Sequence, residues 1–319
     1  MARFEWQLEQ NLFALHRDLK YKHYQHGAYS SFYVRDPKQR HIHKALVRDR
    51  IVHHALTRVL TWIFEPTFIH TSFSCRVGRG THKGVEWLGR AVRTVSRNYT
   101  QPCFVFKCDI RKFFDSINQQ ILIEIIERKV KDTDALWLVR EVATSFSVPY
   151  ERERERESKT GVPIGNLTSQ LFANIYMNEL DQFVKHGLAV KYYSRYTDDF
   201  VIVANDKIYL ERLLPAISSF LSNQLKLTLH PQKVSILPID RGADFLGYVT
   251  LPHHRVLRTK TKQRMWKKLK QKVLQCKAGL ISPESLERTL ASYLGVLSHA
   301  NAYHLVQELK NQVWFWLGS

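Results

Sequence analysis

The apolar residues Phe4, Leu8, Leu12, Leu15 and Leu19 recur at three- and four-residue spacing, which predicts an amphipathic helix over 3–20. The same period runs through 48–64 and stops before Pro66, which cannot continue a helix. At 103–110 the run CFVFKCDI is short, apolar and rich in Phe and Val, as in a buried strand that delivers Asp109 at its end. A helical stretch follows over 118–145. Residues 166–186 are apolar on a wide face and end at Gly187, which predicts a long, mostly buried helix. Residues 192–206 read as strand halves on either side of Thr197, Asp198 and Asp199, a hairpin with two carboxylates at its tip. A helix over 207–223, strands at 225–229 and 245–250, and helix from Arg258 onward complete the pattern. No alternation of parallel βαβ units is visible, and no Gly-rich phosphate loop stands between a strand and a helix. The expected class is therefore α+β, hairpins packed on helices, and dinucleotide enzymes and P-loop ATPases are excluded.

Composition sharpens this picture through charge. The 319 residues are 44% hydrophobic, enough for a sizeable core, yet Lys and Arg outnumber Asp and Glu so far that the net charge is +19. Such an excess calls for a polyanionic partner, nucleic acid or an anionic membrane. No apolar run approaches a membrane span and the N-terminal residues lack a signal-peptide core, so a soluble, cytoplasmic protein is expected. Cys75, Cys103, Cys108 and Cys276 show no C-x-x-C spacing, which argues for reduced thiols over zinc or disulfides. His41/His43 and His53/His54 likewise lack a zinc constellation.

From Arg255 to Lys277 there are ten Lys or Arg and no acid, with Met265, Leu269, Val273 and Leu274 at helical spacing. A helix with a packed stripe and a cationic face that tracks phosphates is expected there, carrying Lys260, Lys262, Lys267 and Lys268 after Arg258. A second basic region covers Arg35 to Arg50, whereas ERERERESK at 151–159 nearly cancels and reads as an exposed loop. Against this background Asp109, Asp198 and Asp199, gathered on one sheet edge, suit divalent cations held by oxygen ligands.

The segments KCDIRKFFDSI (107–117), GVPIGNLTSQ (161–170), RYTDDF (195–200), LKLTLHPQKVSI (225–236) and DFLGY (244–248) resemble, in order and spacing, the motifs of reverse transcriptases. Upstream, RDPKQRHIHKALVRDRIVHHAL and SFSCRVGRGTHKGV resemble finger motifs shared with group II intron and related bacterial enzymes. The resemblance implies a right-hand polymerase. Its parts would be N-terminal fingers over 1–102, a palm strand over 103–117, a fingers/palm helical insert over 118–160, the palm over 161–255 and a helical thumb over 256–319. It implies RNA-templated DNA synthesis from dNTPs with two Mg²⁺ ions, or Mn²⁺ in their place. Asp109, Asp198, Asp199 and the backbone carbonyl of Ile110 would be the metal ligands. Phe114 would be the aromatic gate against a 2′-hydroxyl, Lys38 and Arg40 the triphosphate cations, and Arg76 a template-backbone contact. Lys233 would stand near the pyrophosphate, and Phe245, Leu246, Gly247 and Tyr248 would form the primer grip.

Within the second motif, Ile164, Gly165 and Gln170 would lie at the incoming nucleotide. The form I-G-N-L-T-S-Q, followed by LFANIY, resembles the reverse transcriptases of diversity-generating retroelements. Ile164 offers no amide where most members have Gln, which implies looser checking and error-prone copying biased to template adenines. Thr197 stands where Met or Ala is usual. The implied partners are a structured template RNA with its RNA/DNA duplex and a small basic barrel-forming accessory protein, with no membrane. The implied setting is a bacterial or phage-encoded system in the cytoplasm. A phage-defence or other bacterial reverse transcriptase, and an RNA-binding scaffold with a vestigial site, remain the alternative readings.

Overall fold

The computed structural model describes residues 2–35, 39–146 and 159–318; Lys38 and the alternating-charge stretch 151–158 lie outside the described residues. In chain order come α1 (Ala2–Glu5), α2 (Leu8–Lys20), β1 (Ser30–Val34), β2 (Arg40–Lys44), α3 (Val47–Phe64) and α4 (Thr81–Val95). Next are β3 (Phe104–Asp109), α5 (Phe113–Ser116), α6 (Gln119–Glu127), α7 (Thr133–Thr144) and α8 (Leu167–Gln182). They are followed by β4 (Tyr193–Tyr196), β5 (Asp199–Ala204), α9 (Lys207–Gln224), β6 (Ser235–Pro238), β7 (Ala243–Phe245), β8 (Tyr248–Thr250) and β9 (Arg255–Leu257). The chain ends in α10 (Thr259–Lys277), α11 (Pro283–Leu297) and α12 (Tyr303–Gly318).

The chain forms two compact units, one of Met1–Cys75, Cys108–Phe200 and Arg212–Val234, the other of Arg76–Lys107, Val201–Glu211 and Ser235–Ser319. A four-stranded sheet has the order β4-β5-β3-β6, and β3 pairs antiparallel with β6 from Phe104↔Pro238 to Lys107↔Ser235. In the first unit α8 is buried nearly all round, through Leu171, Phe172, Ala173, Ile175, Tyr176, Met177 and Leu180, and it packs on α3. The hairpin β1–β2 (Ser30↔Lys44 to Val34↔Arg40) belongs to the same unit. In the second unit β7, β8 and β9 form an antiparallel meander. Its core joins Val85 of α4 and Tyr248 to Met265, Leu269, Val273, Leu286, Leu297, Leu309 and Val313 of the last three helices.

Several elements depart from the hydropathy reading. The helix expected over 118–145 is two, because Asn118 and Asp132 each cap a helix N-terminus, accepting from Ile121 N (3.0 Å) and Ala135 N (2.7 Å). The strand expected at 225–229 is the C-terminal cap of α9. Leu225 N and Leu227 N both donate to Leu221 O around Lys226 (φ 51°), and only Leu229 makes a bridge, to Ile110. The helix expected to Gly187 ends as a π-turn over Phe183–Gly187. The strand expected over 245–250 is the β7–β8 hairpin, whose turn residues Leu246 (φ 51°) and Gly247 (φ 91°) are both left-handed. Among the described residues no helix is long and apolar enough to cross a membrane.

Candidate active site

The site begins with β3. Val105, Phe106 and Cys108 are buried on its two faces, and Asp109 ends the strand on the face opposite Phe106 and Cys108, with a side chain 16% exposed. The backbone there is fixed by an antiparallel bridge with widely spaced hydrogen bonds: His230 N donates to Asp109 O (2.8 Å) and Arg111 N to Thr228 O (2.9 Å). Ile110, between them, is therefore the non-hydrogen-bonded partner of Leu229, and its carbonyl is turned away from that segment. The same loop returns Lys233, whose Nζ lies 2.8 Å from Asp109 Oδ1. Thr197 and Asp198 form the two-residue turn after β4, and Asp199 opens β5, the sheet neighbour of β3. The Cys108 thiol is pushed up by burial and then by the carboxylates of Asp199 and Asp109, which places both acids beside one buried sulfur.

The turn itself is unusual. Thr197 has φ 57°, a region that costs a β-branched residue about 1–3 kcal/mol and that surrounding structure must enforce. Enforcement comes from Arg195, wholly buried, whose guanidinium has all five donors satisfied. Nε and Nη2 reach the two oxygens of Asp181 (2.8 and 2.7 Å), Nη1 reaches Thr197 O (3.0 Å) and Asn174 Oδ1 (3.3 Å), and Nη2 also reaches Ser72 Oγ (3.2 Å). Tyr193 donates to Asp181 Oδ1 as well (2.7 Å). Thr197 Oγ1 lies 2.6 Å from Ser74 Oγ, and Asn174 Nδ2 donates to Ser74 O (2.8 Å). The sequence reading missed Ser74, Asn174, Asp181 and Arg195. The available signal was an acid and a guanidinium on faces otherwise destined for burial.

On the nucleotide side of the resemblance, Phe113 turns into the core while Phe114 is half-buried, the two rings 5.3 Å apart and edge-on. Ile164 is half-buried and its carbonyl accepts from His43 N (2.9 Å). Gly165 is left-handed (φ 115°), and a Cβ there would come within 2.7 Å of Ile42 Cγ2, so glycine is required twice over. Asn166, buried, pins the loop to the end of β2: its Nδ2 donates to His43 O (2.8 Å) and its Oδ1 accepts from Ala45 N (3.3 Å). Gln170 is exposed on the first turns of α8. Beneath the loop runs a polar chain in which Thr168 Oγ1 meets His53 Nδ1 (2.6 Å), His53 Nε2 meets His26 Nε2 (2.9 Å) and His26 Nδ1 meets Gly27 O (2.7 Å).

Among the cations, Arg40 is exposed at the start of β2 and Arg76 is half-buried; Lys38 lies outside the described residues. In the second unit Phe245 and Tyr248 are buried and Leu246 and Gly247 form the turn, with Tyr248 Oη donating to Val296 O (2.9 Å). Arg258, counted with the phosphate-tracking cations, is ion-paired with Asp244, its Nε 2.7 Å from Oδ1. On α10, Met265, Leu269 and Val273 are buried, Lys260, Lys267 and Lys268 are exposed and Lys262 is half-buried; Leu274, expected in the stripe, is exposed.

Asp109, Asp198, Asp199 and the Ile110 carbonyl, the ligands that the resemblance implies, offer only oxygen donors, the kind a hard divalent cation takes. Among the described residues no three His, Cys, Asp or Glu side chains stand close enough together to hold a metal ion, and Lys233 supplies the positive charge at Asp109.

Residues 35–250 match the family model described as reverse transcriptase (RNA-dependent DNA polymerase). Protein YkfC of Escherichia coli is 27% identical over 68% of this chain and 62% of its own length. The group II intron-encoded protein LtrA of Lactococcus lactis subsp. cremoris is 25% identical over 74% of this chain and 47% of its own. The chain thus spans less than two thirds of these relatives. In fold it is similar to apo telomerase from Candida tropicalis (TM-score 0.54, 14% identity, 79% of this chain and 52% of that one). Telomerase from Candida albicans in complex with a fragment of telomeric RNA gives a TM-score of 0.52 at 12% identity, over 93% and 59%. The α+β class read from the sequence is that of these right-hand polymerases. With the family model covering most of the chain, this protein belongs to the reverse transcriptase family.

Proposed function

We propose that the chain is an RNA-directed DNA polymerase that copies a retroelement template RNA into cDNA. The observation that carries this reading is the placement of Asp109 and Asp199 at the ends of neighbouring strands, beside one buried thiol, with Lys233 on Asp109. In the reaction the primer 3′-hydroxyl releases its proton to solvent, its oxygen bonds to the α-phosphorus of a dNTP, the bond from that phosphorus to the α,β-bridging oxygen breaks, and pyrophosphate leaves. Asp109, Asp198, Asp199 and the Ile110 carbonyl would hold the two Mg²⁺ ions, which would supply activation of the attacking hydroxyl and charge neutralisation at the leaving group. Lys233 offers an ammonium to the departing pyrophosphate. Phe114 excludes a 2′-hydroxyl by bulk, and Lys38, Arg40 and Arg76 bind phosphates of nucleotide and template. Phe245, Leu246, Gly247 and Tyr248 support the primer end, and the α10 cations follow the duplex backbone.

The finer assignment is a diversity-generating retroelement enzyme, supported by Ile164-Gly165-Asn166 and the following LTSQ. Copying is then error-prone at template adenines, serves targeted diversification (mutagenic retrohoming), and engages a small basic accessory protein in a bacterial or phage-encoded cytoplasmic setting. The intron-encoded relatives favour the second reading, another bacterial reverse transcriptase of intron-related type. Primer extension on an RNA template with dNTPs and Mg²⁺ tests the first claim: extension by the wild type and none by Asp198→Ala/Asp199→Ala is expected. A chain that binds RNA yet extends nothing with Mg²⁺ or Mn²⁺ is the scaffold instead. Sequencing the cDNA separates the two enzyme readings, since adenine-biased errors belong to the first.

A further inference from the structure

The structure assigns Thr197 a positioning role: its hydroxyl closes a ring of hydrogen bonds that sets the backbone of the turn carrying Asp198 and Asp199. This rests on the polymerase reading of those acids. The ring runs from Arg195 Nη1 to Thr197 O (3.0 Å), from Thr197 Oγ1 to Ser74 Oγ (2.6 Å), from Ser74 O to Asn174 Nδ2 (2.8 Å), and from Asn174 Oδ1 back to Arg195 Nη1 (3.3 Å). Three of its members are buried, and Thr197 alone is half-buried, because it is the member that reaches the turn.

Two features make the ring a device and not a collection of contacts. Arg195 cannot adjust, since Asp181 holds its other face at two points and every donor is used. Thr197 would not adopt φ 57° unaided, since a β-branched side chain disfavours that region. The carbonyl and the hydroxyl of one residue are thus gripped from two directions, which defines the peptide plane leading into Asp198. A residue without a hydroxyl, such as the Ala or Met that would otherwise suit the turn, leaves the ring open at Ser74. The SFSCRVG segment therefore contributes to the site through Ser74, by fixing the acids' backbone and not by touching substrate.

The test uses the full chain and two readouts. In single-turnover primer extension on an RNA template, Thr197→Ala and Ser74→Ala should each lower the rate at saturating dNTP by about tenfold, because small displacements of reacting groups are costly. The KM for dNTP should change less than about twofold, since nucleotide binding is not the interaction removed. The double variant should be no slower than either single variant, and Thr197→Ser should restore most of the rate. Hydrogen exchange of the peptide spanning 195–201 should speed up in both alanine variants and not in Thr197→Ser. Wild-type rates in both alanine variants, or multiplicative losses in the double variant, overturn the ring while leaving the polymerase reading intact. Absence of extension by the wild type overturns the polymerase reading, and the exchange pattern then decides the ring by itself.

Discussion

Acidification should destabilise the fold through His53, and the hydrogen-bond chain fixes both the sign and the size. Gly27 O can only accept, so His26 Nδ1 carries its proton and His26 Nε2 accepts; His53 Nε2 must then donate, and His53 Nδ1 accepts from Thr168. A second proton on His53 would face the Thr168 hydroxyl and require it to turn, inside a site where His53 is 2% exposed. Burial first, and the neighbouring His26 second, lower the His53 pKa from 6.5 to about 4, against the opposing pull of Asp49. The unfolded chain therefore takes up a proton near pH 6.5 that the native protein refuses until about pH 4. The stabilisation is present above pH 6.5 and is lost as the pH falls through that window, by about 2 kcal/mol at pH 5 and about 3 kcal/mol at pH 4. Urea unfolding followed by circular dichroism at pH 7 and pH 5 measures the loss, and His53→Gln, which has nothing to protonate, should flatten the pH dependence by about 2 kcal/mol. Parallel pH profiles for the wild type and His53→Gln would refute the assignment.

Three further outcomes follow from the same geometry. Asp181→Ala strands a buried guanidinium and should cost about 3–5 kcal/mol, read as a lowered urea midpoint; a change under about 0.5 kcal/mol, typical of surface sites, would contradict the buried network. Asn166→Ala removes two hydrogen bonds to the end of β2 and should lower stability by about 2 kcal/mol, with a rise in KM for dNTP that a purely structural loss would not produce. If Ile164 lines the nascent pair as proposed, Ile164→Gln supplies an amide there and should reduce misincorporation opposite template adenine, measured by sequencing the cDNA; an unchanged error spectrum would sever Ile164 from fidelity.

The strand ends that carry Asp109 and Asp199 were legible because an apolar run adjoins each, CFVFKCDI before Asp109 and the VIVA run after Asp199, and strand ends are where alternation stops. What holds them was not. Ser74 meets Asn174 100 positions away, Arg195 meets Asp181 14 positions away across a change from helix to strand, and neither pairing leaves a local period to detect. The β1–β2 hairpin escaped for the opposite reason: β1 is exposed on both faces, so its sequence SSFYV carries no burial alternation. Leu225 and Leu227 mimicked a strand because a helix C-cap also buries residues two apart around a left-handed position, here Lys226. The basic helix was readable from charge and spacing together, except for Leu274, which continues the apolar period on the exposed side.

The cysteines provide a native reporter on this machinery. Cys103 and Cys108 are buried, and burial drives the Cys103 thiol up to about 12 and raises Cys108 too, so both stay protonated and sluggish toward electrophiles. Cys75 is exposed, and it follows directly on the serine whose hydroxyl touches Thr197. In a Cys276→Ser background a maleimide dye would label this one position with no cysteine engineered in. Its emission would follow the turn in real time as primer, template and nucleotide arrive.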